Sequence, residues 1–333
     1  MSQINILLLC GGDGSEHDIS LISAAYLKEQ LEKIQDFNVI QVVIHRNYWE
    51  NTSGGQACLG MDRQLRTDAS QVRIDYAIPC IHGIPGETGD IQSFLEITGI
   101  PYLGCPPEGS ALAFNKISTK LWFNAAGIPN TPFTFIDSPS SENLKKVHDF
   151  FNKYGAVFVK ASSQGSSVGC YMVQQENLLE DYIDRAFSYS SSVLVEKCLR
   201  PRELETAVYE YQGKLVVTRP GEIITPNNNF YTFEEKYNQD SHSCTRIEAE
   251  VSSDIQNEII KYAEKAFRLL KLKDLSRIDF FYTEDDGVLL NEINTFPGMT
   301  PISMFPKMLE NHGELMHEFL RDRVLSALRN SNG

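Results

Sequence analysis

Short apolar runs alternate with helical patterns in the N-terminal third of the sequence, and this alternation limits the possible folds more than any other feature. Residues 4–10, 39–44 and 76–81 are apolar runs of strand length, while residues 18–33 and 91–98 have helical periodicity. Strands that alternate with helices are typical of a parallel sheet with helices on its faces. The pattern therefore predicts an N-terminal α/β domain.

A second pattern begins after Pro106-Pro107, which we interpret as a domain boundary. A helix, two strands, a helix and a further strand predict a small α+β unit at residues 110–126, 156–160, 170–173, 176–187 and 193–198. The rest predicts strands at 205–209 and 214–217, an amphipathic helix at 253–271 and a hairpin within 277–298. We therefore predict an α/β (α+β) protein with domains at residues 1–106, 107–200 and 201–333.

The loop at residues 225–243 is long for a compact domain. It carries Phe230, Tyr231, Phe233 and Tyr237. Such loops are usually functional lids or disordered segments. The aromatic residues favour a lid that closes on a binding site, because these side chains can exclude water.

Composition excludes one class of function. The 333 residues include 30 basic and 44 acidic side chains, and the net charge is −14. This charge argues against binding along a nucleic-acid backbone, although a few placed basic groups can still hold a small phosphate. The seven cysteines form no Cys-x-x-Cys pair and indicate reduced thiols in the cytoplasm. We expect no membrane-spanning segment, since no apolar run is long enough.

The C-terminal hairpin predicts a metal site. Two apolar strands flank the turn residues 284–287. Side chains alternate across a strand, so Arg277 and Asp279 share one face, and Glu292 and Asn294 share a face of the next strand. If the turn brings these faces together, their oxygen atoms suit Mg²⁺. Carboxylates placed among apolar residues are costly to bury without a cation.

Two segments of the central unit could bind a nucleotide. Lys160 lies at the end of an apolar strand beside the Gly/Ser loop 162–169, whose backbone N–H groups could cradle phosphate. Taken alone, this pattern is as consistent with an ordinary hairpin. The strand 193–198 could contact adenine, and Glu203 could bind ribose hydroxyls. On spacing alone, a charged strand end is the simpler interpretation.

Two glycine-rich turns follow N-terminal strands. Gly11-Gly12 leads into the first helix, where N–H groups could meet an anion, and His82 precedes a turn that contains Gly86 and Glu87. The Gly-x-Gly-x-x-Gly spacing of a dinucleotide site is missing. This absence argues against a nicotinamide-dependent dehydrogenase, which is the first alternative from a different class.

Several sequence blocks, taken in order, resemble the ATP-grasp carboxylate–amine ligases and, among them, the D-alanine–D-alanine ligases. The blocks are Gly11-Gly12 with Ser15-Glu16-His17-Asp18, His82-Gly83, Gly86-Glu87, Lys160 with residues 165–169, Glu196-Lys197, Glu235-Lys236-Tyr237, Arg277-Ile278-Asp279, and Asn291-Glu292-Ile293-Asn294 with Pro297-Gly298. The resemblance covers essentially the whole chain. It implies a three-domain ATP-grasp fold with ATP bound between the last two domains.

The resemblance also implies an activity. Two D-alanines are joined to D-alanyl-D-alanine through a D-alanyl phosphate, with release of ADP and phosphate, for peptidoglycan precursor synthesis. It implies two Mg²⁺ ions, with Mn²⁺ as a possible substitute, and a cytoplasmic homodimer that binds neither membrane nor nucleic acid.

Residue roles follow from the same resemblance. The implied ATP-binding residues are Lys116, Lys160, Ser167, Glu196, Lys197, Leu199, Glu203, Lys236 and Phe281. The implied metal ligands are Asp279, Glu292 and Asn294. The implied catalytic residues are Glu16, Ser166 and Tyr237, which resemble a hydrogen-bonded triad, with Arg277 and the Gly298 N–H at the oxyanion. The implied substrate contacts are Glu16, Ile19, His82, Arg277, Gly298, Ser303 and Met304.

The sequence departs from the family pattern at three positions. Ala161 stands where Pro is usual, Thr88 where Asp is usual, and Asn115 where Asp is usual. None of these changes removes a proposed ligand, so they concern the surroundings of the site.

Other products and classes remain as alternatives. A ligase of the same fold could make D-alanyl-D-lactate or D-alanyl-D-serine. Tyr237 favours an amine nucleophile, because relatives that form the ester resemble this pattern with His or Phe there. D-Serine stays open. A non-catalytic nucleotide sensor would be expected to lack Arg277 or the metal ligands, and all of these are present.

Overall fold

The computed structural model describes residues 3–224 and 244–331, and this part of the chain forms three β-sheets. The first sheet and its helices follow in chain order: β1 (Ile4–Gly11), α1 (His17–Glu32), β2 (Phe37–His45), β3 (Tyr48–Asn51), β4 (Gln56–Leu59), β5 (Gln64–Thr67), β6 (Gln71–Arg73), β7 (Tyr76–Pro79) and α2 (Asp90–Thr98).

The centre of the first sheet confirms the predicted parallel arrangement. β1 lies between β2 and β7 and is parallel to both. Residues 6–10 of β1 are wholly buried. A strand that is buried on both faces reads as a continuous apolar run, and this explains the unbroken run at the start of the sequence.

The edge of this sheet was not predicted. Strands β3 to β6 extend it beyond β2 in antiparallel order, each paired with its neighbour in the chain. The prediction of a purely parallel sheet was therefore incomplete. These strands are three or four residues long and half-exposed, so they carry little apolar periodicity.

The second sheet is antiparallel and small. Its elements are α3 (Pro107–Phe114), α4 (Lys116–Ala126), β8 (Phe133–Ile136), α5 (Ser141–Tyr154), β9 (Val157–Ala161), β10 (Cys170–Val173), α6 (Leu179–Phe187) and β11 (Val193–Lys197). The strand order is β10-β9-β11-β8. The single helix predicted over 110–126 is divided at Asn115, which has an extended backbone and whose side chain accepts a hydrogen bond from the Ser118 N–H at 2.9 Å. Asn115 therefore caps α4.

The third sheet carries the hairpin. Its described elements are β12 (Arg202–Tyr211), β13 (Lys214–Val217), β14 (Gly221–Ile224), β15 (Cys244–Arg246), α7 (Ser253–Leu269), β16 (Leu275–Thr283), β17 (Gly287–Asn294), α8 (Met304–His312) and α9 (Met316–Ser331). β16 and β17 form the predicted antiparallel pair. The predicted apolar face of α7 is buried at Ile259, Ala263 and Ala266.

One hydrophobic core joins the beginning of the chain to its end. Ile6 and Leu27, from the first sheet and its helix, belong to the same buried cluster as Phe305 and Phe319 from α8 and α9. Tyr209 of β12 is buried in this cluster as well. No helix within the described residues is long and apolar enough to cross a membrane.

Candidate active site

The hairpin places the three predicted oxygen ligands together. Asp279 lies directly opposite Glu292, and Arg277 lies opposite Asn294. The register shifts after Asp279, so Phe280 pairs with Leu290. Directly opposite residues share a face, and the two carboxylates therefore meet on one side of the sheet.

Arg277 and Asn294 hold the Asp279 carboxylate. The Arg277 guanidinium donates to both oxygens of Asp279, at 2.8 and 2.7 Å, and its Nε lies 3.3 Å from Glu205 Oε2. Asn294 Nδ2 donates to Asp279 Oδ2 at 2.9 Å. Burial opposes the charge of Arg277, but the Asp279 and Glu205 carboxylates raise its pKa well above the usual value.

The donor set of the hairpin fits a hard divalent cation. Two carboxylates and an amide supply only oxygen ligands, as Mg²⁺ requires, with waters and phosphate oxygens left to complete its octahedron. Within the described residues no group of three or more His, Cys, Asp or Glu side chains could hold a metal. The donor set here is thus two carboxylates, Asp279 and Glu292, with the amide of Asn294 hydrogen-bonded to one of them.

Three side chains of the central unit form a buried charged cluster. Glu196 of β11 lies 2.5 Å from Lys160 Nζ through Oε2, and 2.5 Å from Lys120 Nζ through Oε1. Burial would raise the pKa of Glu196, but the two ammonium groups outweigh it and lower that pKa to about 2. Burial works against the Lys160 ammonium, yet Glu196 raises the Lys160 pKa overall. Lys120 was not among the predicted site residues, because a lysine one turn after Lys116 is typical of a solvated helix face.

Two adjoining cavities lie beside this cluster. The larger, of about 420 Å³, is lined by six of the predicted ATP-binding residues. These six are Lys160, Glu196, Lys197, Leu199, Glu203 and Phe281. The smaller cavity, of about 70 Å³, brings Lys160 together with Lys116, Ser166, Ser167, Glu203, Phe281, Asp279 and Glu292.

Lys116 and Lys197, which line these cavities, are held by different partners. Lys116 Nζ donates to the Gln164 carbonyl at 2.8 Å and lies 3.7 Å from Glu292 Oε2. Lys197 Nζ lies 2.8 Å from both oxygens of Asp286, in the hairpin turn. This pair directs the Lys197 ammonium toward the turn that joins β16 and β17.

The Gly/Ser loop meets the N-terminal sheet at Glu16. Ser166 Oγ donates to Glu16 Oε1 at 2.5 Å, from the loop to the residue that precedes α1. Ser166 and Ser167 both have positive φ, at 48° and 61°. A Cβ on Gly165 would lie 3.0 Å from Glu16 Oε2, so glycine leaves room for the carboxylate. Part of the predicted triad is thus in contact.

His82 and Glu87 lie next to this contact and tie two loops together. The buried His82 ring approaches Ser23 Oγ at 2.9 Å and the Phe296 carbonyl at 3.2 Å, so both ring nitrogens are engaged. Burial lowers the His82 pKa. Glu87 accepts from the Gly83 N–H at 2.9 Å and from the Phe296 N–H at 3.5 Å.

The remaining predicted substrate contacts lie near the start of α8. Ser303 precedes this helix, and Ser303 Oγ accepts from the Thr300 N–H at 3.2 Å. A Cβ on Gly298 would lie 2.9 Å from Ser303 Oγ. Met304 is the first residue of α8, so its N–H is among those that a helix start leaves for a carboxylate. Ile19 is half-buried in α1.

Most of the predicted residues therefore meet around one pair of cavities. Lys236 and Tyr237 lie outside the described residues. Besides Lys120, two residues at the site had no predicted role: Glu205, which lies 3.3 Å from Arg277, and Glu87. The available signal was an acidic residue at the start of the predicted strand 205–209. In the structure, Glu205 lies opposite Asp279 across β12 and β16.

Comparisons with known proteins agree with this geometry. Residues 5–105 match the family described as D-ala D-ala ligase N-terminus, and residues 122–324 match the one described as D-ala D-ala ligase C-terminus. A D-alanine–D-alanine ligase of Tolumonas auensis is 56% identical over 330 residues, which cover 99% of this chain and 100% of that relative.

Solved structures agree as well. The crystal structure of D-alanyl-alanine synthetase A from Vibrio cholerae has a TM-score of 0.95 and 50% identity, and covers 99% of this chain and 100% of that one. A D-alanine–D-alanine ligase from Aeromonas hydrophila has a TM-score of 0.83 and 48% identity, over 97% and 100% of the two chains. The fold, the cavity residues and this full-length similarity lead to one conclusion: the chain belongs to the D-alanine–D-alanine ligase family of ATP-grasp enzymes.

Proposed function

We propose that this chain joins two D-alanines to D-alanyl-D-alanine at the cost of ATP, releasing ADP and phosphate. The observation that carries the proposal is the meeting of Lys160 with Asp279 and Glu292 at one cavity. A phosphate-binding cation beside a pair of hard oxygen ligands suits phosphoryl transfer, in which catalysis is mostly positioning and charge stabilisation. The product would serve as a peptidoglycan precursor.

The larger cavity would take the nucleotide base. Phe281 offers an aromatic face, Glu203 an acceptor for ribose hydroxyls, and Leu199 an apolar wall. The triphosphate would extend into the smaller cavity, where Lys116 and Lys160 supply cations and Ser167 lies on the Gly/Ser loop. We assign Lys236 to the same phosphates, as the contact from the lid at 225–243.

Asp279, Glu292 and Asn294 would hold two Mg²⁺ ions, with Mn²⁺ as a possible substitute. When bound, such ions neutralise the transferring phosphoryl group and orient its oxygens. Arg277 fixes the Asp279 carboxylate through two hydrogen bonds, so this ligand is held in place before any ion binds. Activity should therefore require a divalent cation.

The first D-alanine would bind where the N-terminal sheet meets the Gly/Ser loop. Its ammonium would pair with Glu16, and His82 and Ile19 would lie beside it. Its carboxylate oxygen attacks the γ-phosphorus and ADP leaves, which gives an acyl phosphate. A free carboxylate resists attack by an amine, so this first transfer supplies the leaving group for the second step.

The second D-alanine would bind at the start of α8, with its carboxylate on Ser303 and the Met304 N–H. Its amine attacks the acyl carbon of the acyl phosphate and forms the C–N bond. The bond between that carbon and the bridging oxygen breaks, and phosphate leaves with this oxygen. Arg277 and the Gly298 N–H would stabilise the tetrahedral oxyanion. The Glu16–Ser166 contact, extended by Tyr237, would carry the proton lost by the ammonium.

The finer assignments belong to the same proposal. We infer three domains at residues 1–106, 107–200 and 201–333, each built around one of the three sheets. We also infer a cytoplasmic homodimer. The cysteines within the described residues are all free thiols, which is consistent with a reducing compartment.

Phosphate release from ATP tests the proposal most directly. Release should depend on both D-alanine and a divalent cation, and chromatography should show D-alanyl-D-alanine as the product. When D-alanine and D-lactate compete, the dipeptide should predominate, because Tyr237 favours the amine. Release that is independent of D-alanine would defeat the main proposal, whereas predominant ester or D-alanyl-D-serine would change only the second substrate.

A further inference from the structure

Lys120 is the lysine of the Glu196 cluster that lines neither of the two cavities. It is 2% exposed and absent from the walls of both cavities that the described residues form at the site. Lys116 lies one turn earlier on the same helix and lines the smaller cavity. The two lysines lie one turn apart on one face of α4, yet only Lys116 lines a cavity, whereas Lys120 is buried in the protein.

The ammonium of Lys120 is fully engaged by protein acceptors. It lies 2.5 Å from Glu196 Oε1, and it donates to the Thr131 carbonyl at 3.2 Å and to Asn130 Oδ1 at 3.3 Å. An ammonium has three protons to donate. A group with these three acceptors has no capacity left for a ligand, so Lys120 acts on the cavity through its partners. Of these, Glu196 and Thr131 line the larger cavity, and Glu196 is the charged one.

The cluster carries two cations and one anion. Lys160 is exposed to both cavities, and its carboxylate partner is shared with Lys120. If Lys160 alone faced Glu196, the two charges would cancel and the pair would attract a phosphate weakly. With Lys120 present, the cluster has a net charge of about +1 beside the cavity, by simple count of ionised groups.

We propose that Lys120 is a positioning residue that neutralises Glu196 from behind, so that the charge of Lys160 acts on the phosphates of the bound nucleotide. This inference rests on the proposed ATP site but not on the ligation step. It assigns Lys120 a role in discriminating phosphorylated from unphosphorylated nucleosides. A buried cation of purely structural value would affect both kinds of ligand alike.

Binding of ADP and of adenosine to the full-length protein, measured by calorimetry in the absence of D-alanine, separates these roles. The ratio of the two affinities isolates the contribution of the phosphates. Lys120→Met keeps most of the side-chain volume and removes the charge, and it should lower this ratio by about tenfold or more. Adenosine affinity should change by less than about threefold.

Charge restoration provides the matched test. In the double variant Lys120→Met/Glu196→Gln, no carboxylate charge remains to cancel the charge of Lys160. The net charge of the cluster is then the same as in the wild type, so the ratio should return toward the wild-type value. Glu196→Gln alone should give a ratio at or above the wild-type value, and this variant carries the test if Lys120→Met fails to fold. The exposed Lys145→Met removes the same charge from α5 and should leave the ratio unchanged.

Two outcomes would overturn the inference. In the first, Lys120→Met weakens ADP and adenosine equally, or weakens neither. In the second, the double variant binds ADP as poorly as the single variant, or Glu196→Gln lowers the ratio. Because these measurements use no D-alanine, they can fail while the ligase activity stands, and the reverse also holds.

Discussion

At the scale of single residues, Glu87 shows how a residue without an assigned role can matter for stability. Burial raises the pKa of its carboxyl, and the nearby Glu16 charge adds to this, to about 7 against an ordinary value of 4.5. The folded state therefore holds a proton that the unfolded chain releases between these values. It follows that Glu87 makes the fold less stable as the pH rises through this window.

Glu87→Gln tests this dependence. The amide cannot ionise, and its single acceptor oxygen keeps only one of the two N–H contacts of Glu87. The lost contact costs the same at every pH, so the stability of the variant relative to the wild type should increase as pH rises. The gain between about pH 5 and about pH 8 should be at most roughly 3 kcal/mol in the free energy of unfolding, measured by denaturant titration. The exposed Glu142→Gln is the control. A difference that does not grow with pH would contradict the prediction.

At the scale of elements, the sequence predicted the helices and strands whose residue pattern is visible within a short segment. The β16–β17 hairpin was found because its strands alternate around an acidic turn that ends in Gly287. β8 and α5 were not found, although Ser140 caps α5 through a hydrogen bond from the Asn143 N–H at 3.3 Å. The Glu196 cluster could not be predicted, because its side chains come from α4, β9 and β11. A local residue pattern does not show which side chains from distant segments come into contact.

Helices α5 and α6 are joined by a pH-sensitive contact at His148. Its ring nitrogens lie 2.9 Å from Glu176 and 3.0 Å from Glu180, and these hydrogen bonds raise the His148 pKa. The protonated ring therefore stabilises the fold below the ordinary pKa of 6.5, and this contribution is lost as the pH rises through the raised value.

His148→Gln should show this contribution in thermal unfolding. The variant should be less stable than the wild type at about pH 5.5, by less than about 1 kcal/mol because the contact is partly solvated. Near about pH 9 the two should be equal, since the wild-type ring is then neutral. Glu176→Gln should lose part of the same pH dependence. An effect of equal size at both pH values would indicate lost packing instead.

At the scale of the whole molecule, the core that joins the chain ends governs cooperativity. Phe319 of α9 is wholly buried, with its ring centroid 5.7 Å from that of Tyr209 and 6.4 Å from that of Phe305. The same cluster includes Ile6 and Leu8 of β1. A cavity opened in α9 should therefore destabilise the N-terminal sheet too.

Phe319→Ala should lower the free energy of unfolding by about 3–5 kcal/mol. One of the two tryptophans, Trp49, lies on β3, and the other, Trp122, lies on α4. In a Trp122→Phe background, the fluorescence of Trp49 should report the shift in denaturant midpoint. Leu315→Ala removes a side chain that is 50% exposed and should change stability by less than about 0.5 kcal/mol. An unshifted Trp49 signal in Phe319→Ala would show that the sheet unfolds independently.

The same core has a consequence for protein synthesis. Ribosomes release a chain from its N-terminus, and domains usually fold in that order as they emerge. Here β1 and α1 leave the ribosome before α8 and α9, which share their buried cluster and follow the strands of all three sheets in the chain. The apolar face of the N-terminal sheet therefore stays without its cover from α8 and α9 until all three sheets have been synthesised. During this interval the nascent chain exposes apolar surface, which is the condition in which incompletely folded chains are prone to aggregate.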